Sequence, residues 1–207
     1  MSTSSRSSGA LRMPVLFVGH GSPMNAIEDN VWSRGFRDLA GALPRPKAIL
    51  AVSAHWYVEG TFTTANERPK TIHDFGGFPD ALFRVQYPAP GDPDLAKRVV
   101  ELVGERRASV DDTWGLDHGT WSVLVHLLPA ADVPVVQLSI DGRLAPAEHL
   151  AIGRALEGDA GRLSHPTPDH YLPLLYAAGA STQDDAVRFP IEGFDMASLS
   201  MRSVVFG

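Results

Sequence analysis

Three short, largely apolar runs organise the chain. Pro14-Val15-Leu16-Phe17-Val18 ends in Gly19-His20-Gly21-Ser22-Pro23, Ala48-Ile49-Leu50-Ala51-Val52 ends in Ser53-Ala54-His55-Trp56, and Val133 to Ile140 closes at Asp141-Gly142. Runs of this length bounded by Gly, Pro or small polar residues predict buried strands. Between them the spacing turns helical: Phe36 and Leu39 inward over Asn30 to Ala40, then Leu95, Val99, Leu102 and Val103 after Pro93, then Trp121, Leu124, Val125 and Leu128. Further helices are predicted over Glu148 to Leu156, with Pro146 near the start, and up to about Ala178. Pro173 should kink the latter or move its start. Gly60 to Ala65, rich in Thr, reads as a strand at a sheet edge, and Ser109 to Asp111, Val187 to Ile191 and Leu199 to Val205 as further strands. Thr71 to Pro90 has no helical period and is long for a plain connection, a feature of functional loops. Unbroken apolar strands alternating with helices indicate a three-layer α/β fold. Its central sheet should be mostly parallel, with helices on both faces.

Composition narrows the function classes. The chain has 207 residues, 44% hydrophobic and 20% charged, with a formal net charge of −6. Residues 13–207 fit one domain, preceded by a Ser-rich tail over 1–12 expected to be disordered. No Lys/Arg run occurs, which argues against nucleic acid or an anionic membrane as partner. There is no cysteine, so disulfides, thiolate metal ligands and a Cys nucleophile are excluded. No signal-peptide core or membrane-length apolar segment is present, and the expected location is cytoplasmic. Phosphate loops, dinucleotide fingerprints, Ser nucleophile elbows and metalloprotease helices are all missing.

The remaining chemistry lies in eight histidines. His20 and His55 each follow a predicted buried strand. In open parallel sheets ligands bind beyond the carboxyl ends of the strands, so these two can face one crevice although 35 positions apart. Neutral imidazole ligates Zn, Fe, Cu and Ni. His118, between Asp117 and Gly119 ahead of a helix, suits acid/base work or a helix-terminal role equally. His170 lies in the first turn of a helix with Thr167 as candidate cap and Pro168 at the favoured first position. Either His170 or Asp169 could supply a third ligand, and Asp169 could equally serve the helix N-terminus alone. His73 reads as part of a structural turn, His126 as a helix position on a polar face, and His149 and His165 as surface positions.

Six segments in order resemble the 4,5-DOPA extradiol dioxygenase family, a branch of the class III, LigB-like extradiol ring-cleavage dioxygenases. They are Gly19-His20-Gly21-Ser22-Pro23-Met24, Ser53-Ala54-His55-Trp56, Thr71-Ile72-His73-Asp74-Phe75-Gly76-Gly77-Phe78-Pro79, Trp114-Gly115-Leu116-Asp117-His118-Gly119-Thr120-Trp121, Val135 to Asp141, and Thr167-Pro168-Asp169-His170-Tyr171-Leu172-Pro173. The resemblance implies one divalent metal ion, Zn(2+) or Fe(II), held by His20, His55 and His170, with His118 facing the substrate as the catalytic histidine. It implies a small-molecule catechol and O2 as partners, and oxidative opening of the ring to a muconic semialdehyde. A homo-oligomer is compatible with it.

Two departures accompany the likeness. The acidic residue before the third histidine, usually Glu, is Asp169 here. The chain is also several dozen residues shorter than the family pattern, with the loss falling between about Leu156 and Leu163. Family members there have a further buried strand ending in an Asn-Val-Val-His-Asn-like segment whose histidine belongs to the active site. Losing an acid/base group typically costs about 10²–10⁴-fold in rate. Three readings follow: an extradiol catechol dioxygenase, impaired or not; a non-catalytic metal-binding or interaction protein on the same scaffold; and a zinc hydrolase using an open coordination position.

Overall fold

The computed structural model describes residues 13–105, 107–157, 168–196 and 199–207, with backbone alone at 157, 168–171 and 199. The elements run in the order β1 (Val15–Phe17), α1 (Val31–Ala42), β2 (Ile49–Val58), β3 (Thr61–Thr64), α2 (Asp80–Phe83), α3 (Pro93–Val103), β4 (Ala108–Asp111), α4 (His118–Leu127), β5 (Val135–Asp141), α5 (Pro146–Glu157), α6 (Pro168–Gly179), β6 (Val187–Ile191), β7 (Phe194–Asp195), β8 (Leu199–Ser200) and β9 (Ser203–Phe206).

The central sheet has the order β2-β5-β3-β4 and is mixed but mostly parallel, with β2/β5 and β3/β4 parallel and β3/β5 antiparallel. β5 is buried along its whole length. Its side chains alternate as the pleat requires. Leu138 and Ile140 join a core with Val99 and Val103 of α3, Ile152 of α5, and Leu172, Leu175 and Tyr176 of α6. Val135, on the opposite parity, packs with Trp121 and Leu124 of α4, and with Leu82, Tyr87 and Leu116. Helices therefore cover both faces, giving the three layers expected. A separate antiparallel sheet, β1-β9-β6, stands beside the central one, and α6 packs against both β1 and β2.

Several details differ from the patterning. The Thr-rich strand β3 is interior, paired by β5 on one side and β4 on the other, and Thr63 is fully buried. Its threonines suit a strand because β-branched side chains pack well on a pleated surface. β2 extends six residues past Val52. Its register with β5 passes from Val52↔Leu138 to Tyr57↔Ile140, so Ser53 to Trp56 oppose the single residue Ser139. Leu102 is 36% exposed, and Ala96, Val99 and Val103 form the inner face of α3 instead. The last strand is broken into β8 and β9. Pro173 stands inside α6 without ending it.

Candidate metal centre

Three imidazoles meet where β1, β2 and α4 converge. His20 leaves β1 through a turn in which Gly21 has φ +62°, a left-handed conformation that glycine adopts freely. A Cβ on Gly21 would lie 2.5 Å from Met201 Sδ and 2.7 Å from Asp195 Oδ2. Asp195 Oδ2 accepts from Ser22 N at 3.0 Å and Asn25 Nδ2 at 3.1 Å, and Asn25 Nδ2 also donates to the His20 carbonyl at 3.2 Å. His55 sits in the irregular stretch of β2, inside the strand rather than after it. Such irregularities re-aim a side chain at functional sites. His118 is the first residue of α4. Gly119 lets that helix end approach β2: a Cβ there would lie 2.6 Å from Ser53 Oγ and 2.7 Å from His55 Cδ2.

The nitrogens of His20, His55 and His118 lie within 4.8 Å of one another, the group among the described residues able to hold a metal ion. His55 Nε2 is 3.0 Å from His20 Nε2. Two imidazoles sharing one ion at about 2.0–2.1 Å have nitrogens about 2.9–3.4 Å apart for angles between 90° and tetrahedral. The observed pair fits that arrangement. The rings of His55 and His118 are 3.9 Å apart between centroids, and His20 to His118 is 5.2 Å. Imidazole nitrogens are donors of intermediate softness that suit divalent Zn, Cu, Fe and Ni alike.

Carboxylates stand behind this group. Asp74 Oδ1 accepts from the His118 main-chain N–H at 2.9 Å and lies 3.0 Å from His118 Nδ1, an ion-pair contact too oblique to count as a second hydrogen bond. Asp74 Oδ2 is 3.6 Å from His55 Nδ1. Burial favours the neutral acid at Asp74, but the contacts from the His118 ring and main chain hold it below the usual carboxylate range. Asp117 is fully enclosed. It accepts from Ser53 Oγ at 2.6 Å and from Gln137 Nε2. Burial pushes its carboxyl up to about 6 against those two hydrogen bonds.

Of the residues singled out in the sequence, His20, His55 and His118 are brought together. His170 falls in the first turn of α6, and its side chain, like that of Asp169, lies outside the described residues, as do Thr167, His165 and the 158–163 segment. His73 is structural, with Nε2 3.0 Å from the Val85 carbonyl and its ring against Phe75 and Trp121. His126 bonds the Asn25 carbonyl through Nε2 at 2.7 Å. His149 is not at the surface: it is fully buried, with Nδ1 2.9 Å from Tyr176 Oη. Its partner stands 27 positions away on α6, which no local pattern around His149 announces.

The family model of the catalytic LigB subunit of aromatic ring-opening dioxygenases matches residues 14–161. This chain belongs to the LigB family. Among LigB-family relatives, it is 42% identical to the 4,5-DOPA dioxygenase extradiol of Escherichia coli K12, covering 95% of each protein. It is 39% identical to the 4,5-DOPA dioxygenase extradiol of Portulaca grandiflora, over 92% of this chain and 94% of the relative. A crystal structure of an uncharacterised protein from Escherichia coli K12 superposes with a TM-score of 0.78 at 37% identity, covering 95% of this chain and 100% of the other. The first of these alignments extends over 258 positions, more than the 207 residues present here, so part of that relative faces gaps. LigB-family dioxygenases are metal-dependent, and the histidine cluster stands where this chain could hold the ion. No helix among the described residues is long and apolar enough to cross a membrane.

Proposed function

We propose that this chain opens a catechol ring with O2 by extradiol cleavage, at one divalent ion held by His20, His55 and His170. The observation that carries the reading is the meeting of His20, His55 and His118 in a LigB-family chain. The names of its relatives support a DOPA-like catechol as substrate. A bound Fe(II) would supply the position where the catecholate binds and the path for electrons from ring to O2, whereas Zn(2+) has no redox chemistry to offer. His118 acts on the substrate. Its Nδ1 is turned to Asp74, which leaves Nε2 to accept the proton of a catechol hydroxyl and return it later. Its side chain is only 7% exposed, so that proton exchanges with substrate in preference to bulk water.

A second reading, a metal-binding protein of the same family with little or no turnover, is favoured by the length difference from the Escherichia coli relative. The half-covered residues of β2 also favour it. Ile49 to Val52 are intermediate in burial, although parallel strands are ordinarily covered on both faces. A strand and its histidine lacking near 156–163, as the family resemblance implies, would account for both.

Reconstitution of the full chain with Fe(II) under anaerobic conditions, followed by addition of DOPA and air, separates the readings. Oxygen uptake with a yellow product is the expected outcome. Metal binding without uptake establishes the second reading. Ester hydrolysis by the zinc form without oxygen use would replace both. In the iron form, His118→Ala should retain metal and lose about 10²–10⁴-fold in rate.

A further inference from the structure

We propose that Asp74 is a positioning residue whose single carboxylate fixes the orientation and tautomer of both His55 and His118. The inference rests on the metal-centre reading for its purpose, but its geometry is independent of any reaction.

Each Asp74 oxygen faces the Nδ1 of a different histidine. Oδ1 is 3.0 Å from His118 Nδ1 and Oδ2 is 3.6 Å from His55 Nδ1. The opposite nitrogen of His55, Nε2, is the one that meets His20 Nε2. A carboxylate beside one ring nitrogen draws the proton to that nitrogen, and the lone pair is then left on the other. For His55 this makes Nε2 a ligand atom. For His118 it makes Nε2 the proton acceptor. Oδ2 is buried and accepts no hydrogen bond within the described residues, so it is available to an imidazole N–H that closes the last few tenths of an ångström.

The carboxylate is itself held. Oδ1 accepts from the first N–H of α4, one of the donors that a helix start leaves without an intrahelical partner. Asp117, the residue before α4, makes no side-chain cap bond and leaves that role open. The loop that delivers Asp74 is pinned to the same helix and to the segment leading into it: Trp121 Nε1 of α4 donates to Ile72 O at 2.7 Å, and Ile72 N donates to Leu116 O, ahead of the helix, at 2.8 Å. One side chain thus ties a β2 histidine, an α4 histidine and the α4 terminus together. A residue serving only as a helix cap would not need its second oxygen turned to His55.

Asp74→Asn tests this, because the amide oxygen can still accept from the His118 N–H while the charge is lost. In the metal-free full chain, imidazole ¹⁵N shifts should report Nδ1–H at His55 and His118, and a mixture of tautomers in Asp74→Asn. Co(II) titration should show affinity falling about 10–100-fold, the usual loss for a residue supporting a ligand. Ring-nitrogen shifts unchanged and Co(II) affinity within twofold of the parent would overturn the proposal. Should Asp74→Asn fail to fold, the parent decides alone, since Nε2–H at both histidines contradicts the assignment. Neither readout requires turnover, so an inactive but correctly tautomerised protein defeats the dioxygenase reading and leaves Asp74 its role.

Discussion

His55 and His118 are backed by the central sheet and its buried core, whereas His20, of the same intermediate exposure as His55, is carried by the smaller, more open three-stranded sheet. Behind the first two lie fully buried β5, the Ser53–Asp117–Gln137 hydrogen bonds and the Asp74 carboxylate. Behind His20 lies β1, three residues of intermediate burial in a sheet of three strands, tied to the β7–β8 segment through Asp195. A metal ion bridging His20 and His55 would therefore couple the two sheets. The difference teaches that one half of this site is preorganised by the core, while the other half rests on a short turn held by Asp195.

The largest effect should come from removing either proposed ligand. His20→Ala and His55→Ala are each expected to lower divalent-ion affinity by at least about 100-fold, more than the loss typical of a supporting residue. Their effects on the apoprotein should differ. His55→Ala opens a gap against the His118 ring 3.9 Å away and leaves Asp74 Oδ2 without its imidazole, and it should lower the apoprotein Tm more than His20→Ala. Calorimetric metal titration and thermal melts of the chelated protein check both parts. A His20→Ala protein that binds metal as the parent does removes the bridge between the two sides.

An intermediate effect is expected at the glycines. Gly119→Ala places a Cβ 2.7 Å from a ring carbon of His55 on the packed side, and overfilling of this kind costs about 1–3 kcal/mol. Gly41, inside α1 with nothing within 4 Å of its would-be Cβ, gives the opposite sign. Gly41→Ala should stabilise by about 0.5–1 kcal/mol, the helix preference of Ala over Gly. Denaturant unfolding of the two variants measures this contrast. Equal effects would mean that the approach of α4 to β2 is looser than these distances require.

What the sequence made legible follows from how local each signal is. β1, β5, β6 and the first helix were readable because an apolar run or a 3.6-residue period suffices to place them. The continuation of β2 past Val52 was not, because Ser53, Ala54 and His55 break the apolar run just where the ladder bulges. His149 read as exposed because a lone histidine on a helix carries no mark of a distant tyrosine. Asp74 and Asp117 carry no local mark of function, since their convergence on the histidines is made by loops far apart in the chain. One signal was available: Gln137 in the middle of Val135-Val136-Gln137-Leu138 is an amide inside an otherwise apolar strand. A buried amide needs a polar partner, and that partner is Asp117.

The smallest effect concerns pH, and it probes the layer beneath the open side. His149 of α5 is fully buried against Tyr176 of α6, the helix that spans β1 and β2. Burial lowers its pKa from the ordinary 6.5, opposed by a backbone hydrogen bond and by the charges of Asp141 and Glu148. The folded protein thus holds this imidazole neutral where the unfolded chain protonates it. Stability from this group is complete above about pH 6.5 and is lost as pH falls from there to the lower folded value, after which it is constant. His149→Gln removes the titration while keeping a hydrogen-bonding side chain. The parent Tm should fall more steeply than that of His149→Gln between pH 7.5 and 5.5, with the other histidines contributing equally to both. Parallel curves would show that α5 and α6 open far enough to admit water to the ring, and the cover over the open side would then be looser than its packing suggests.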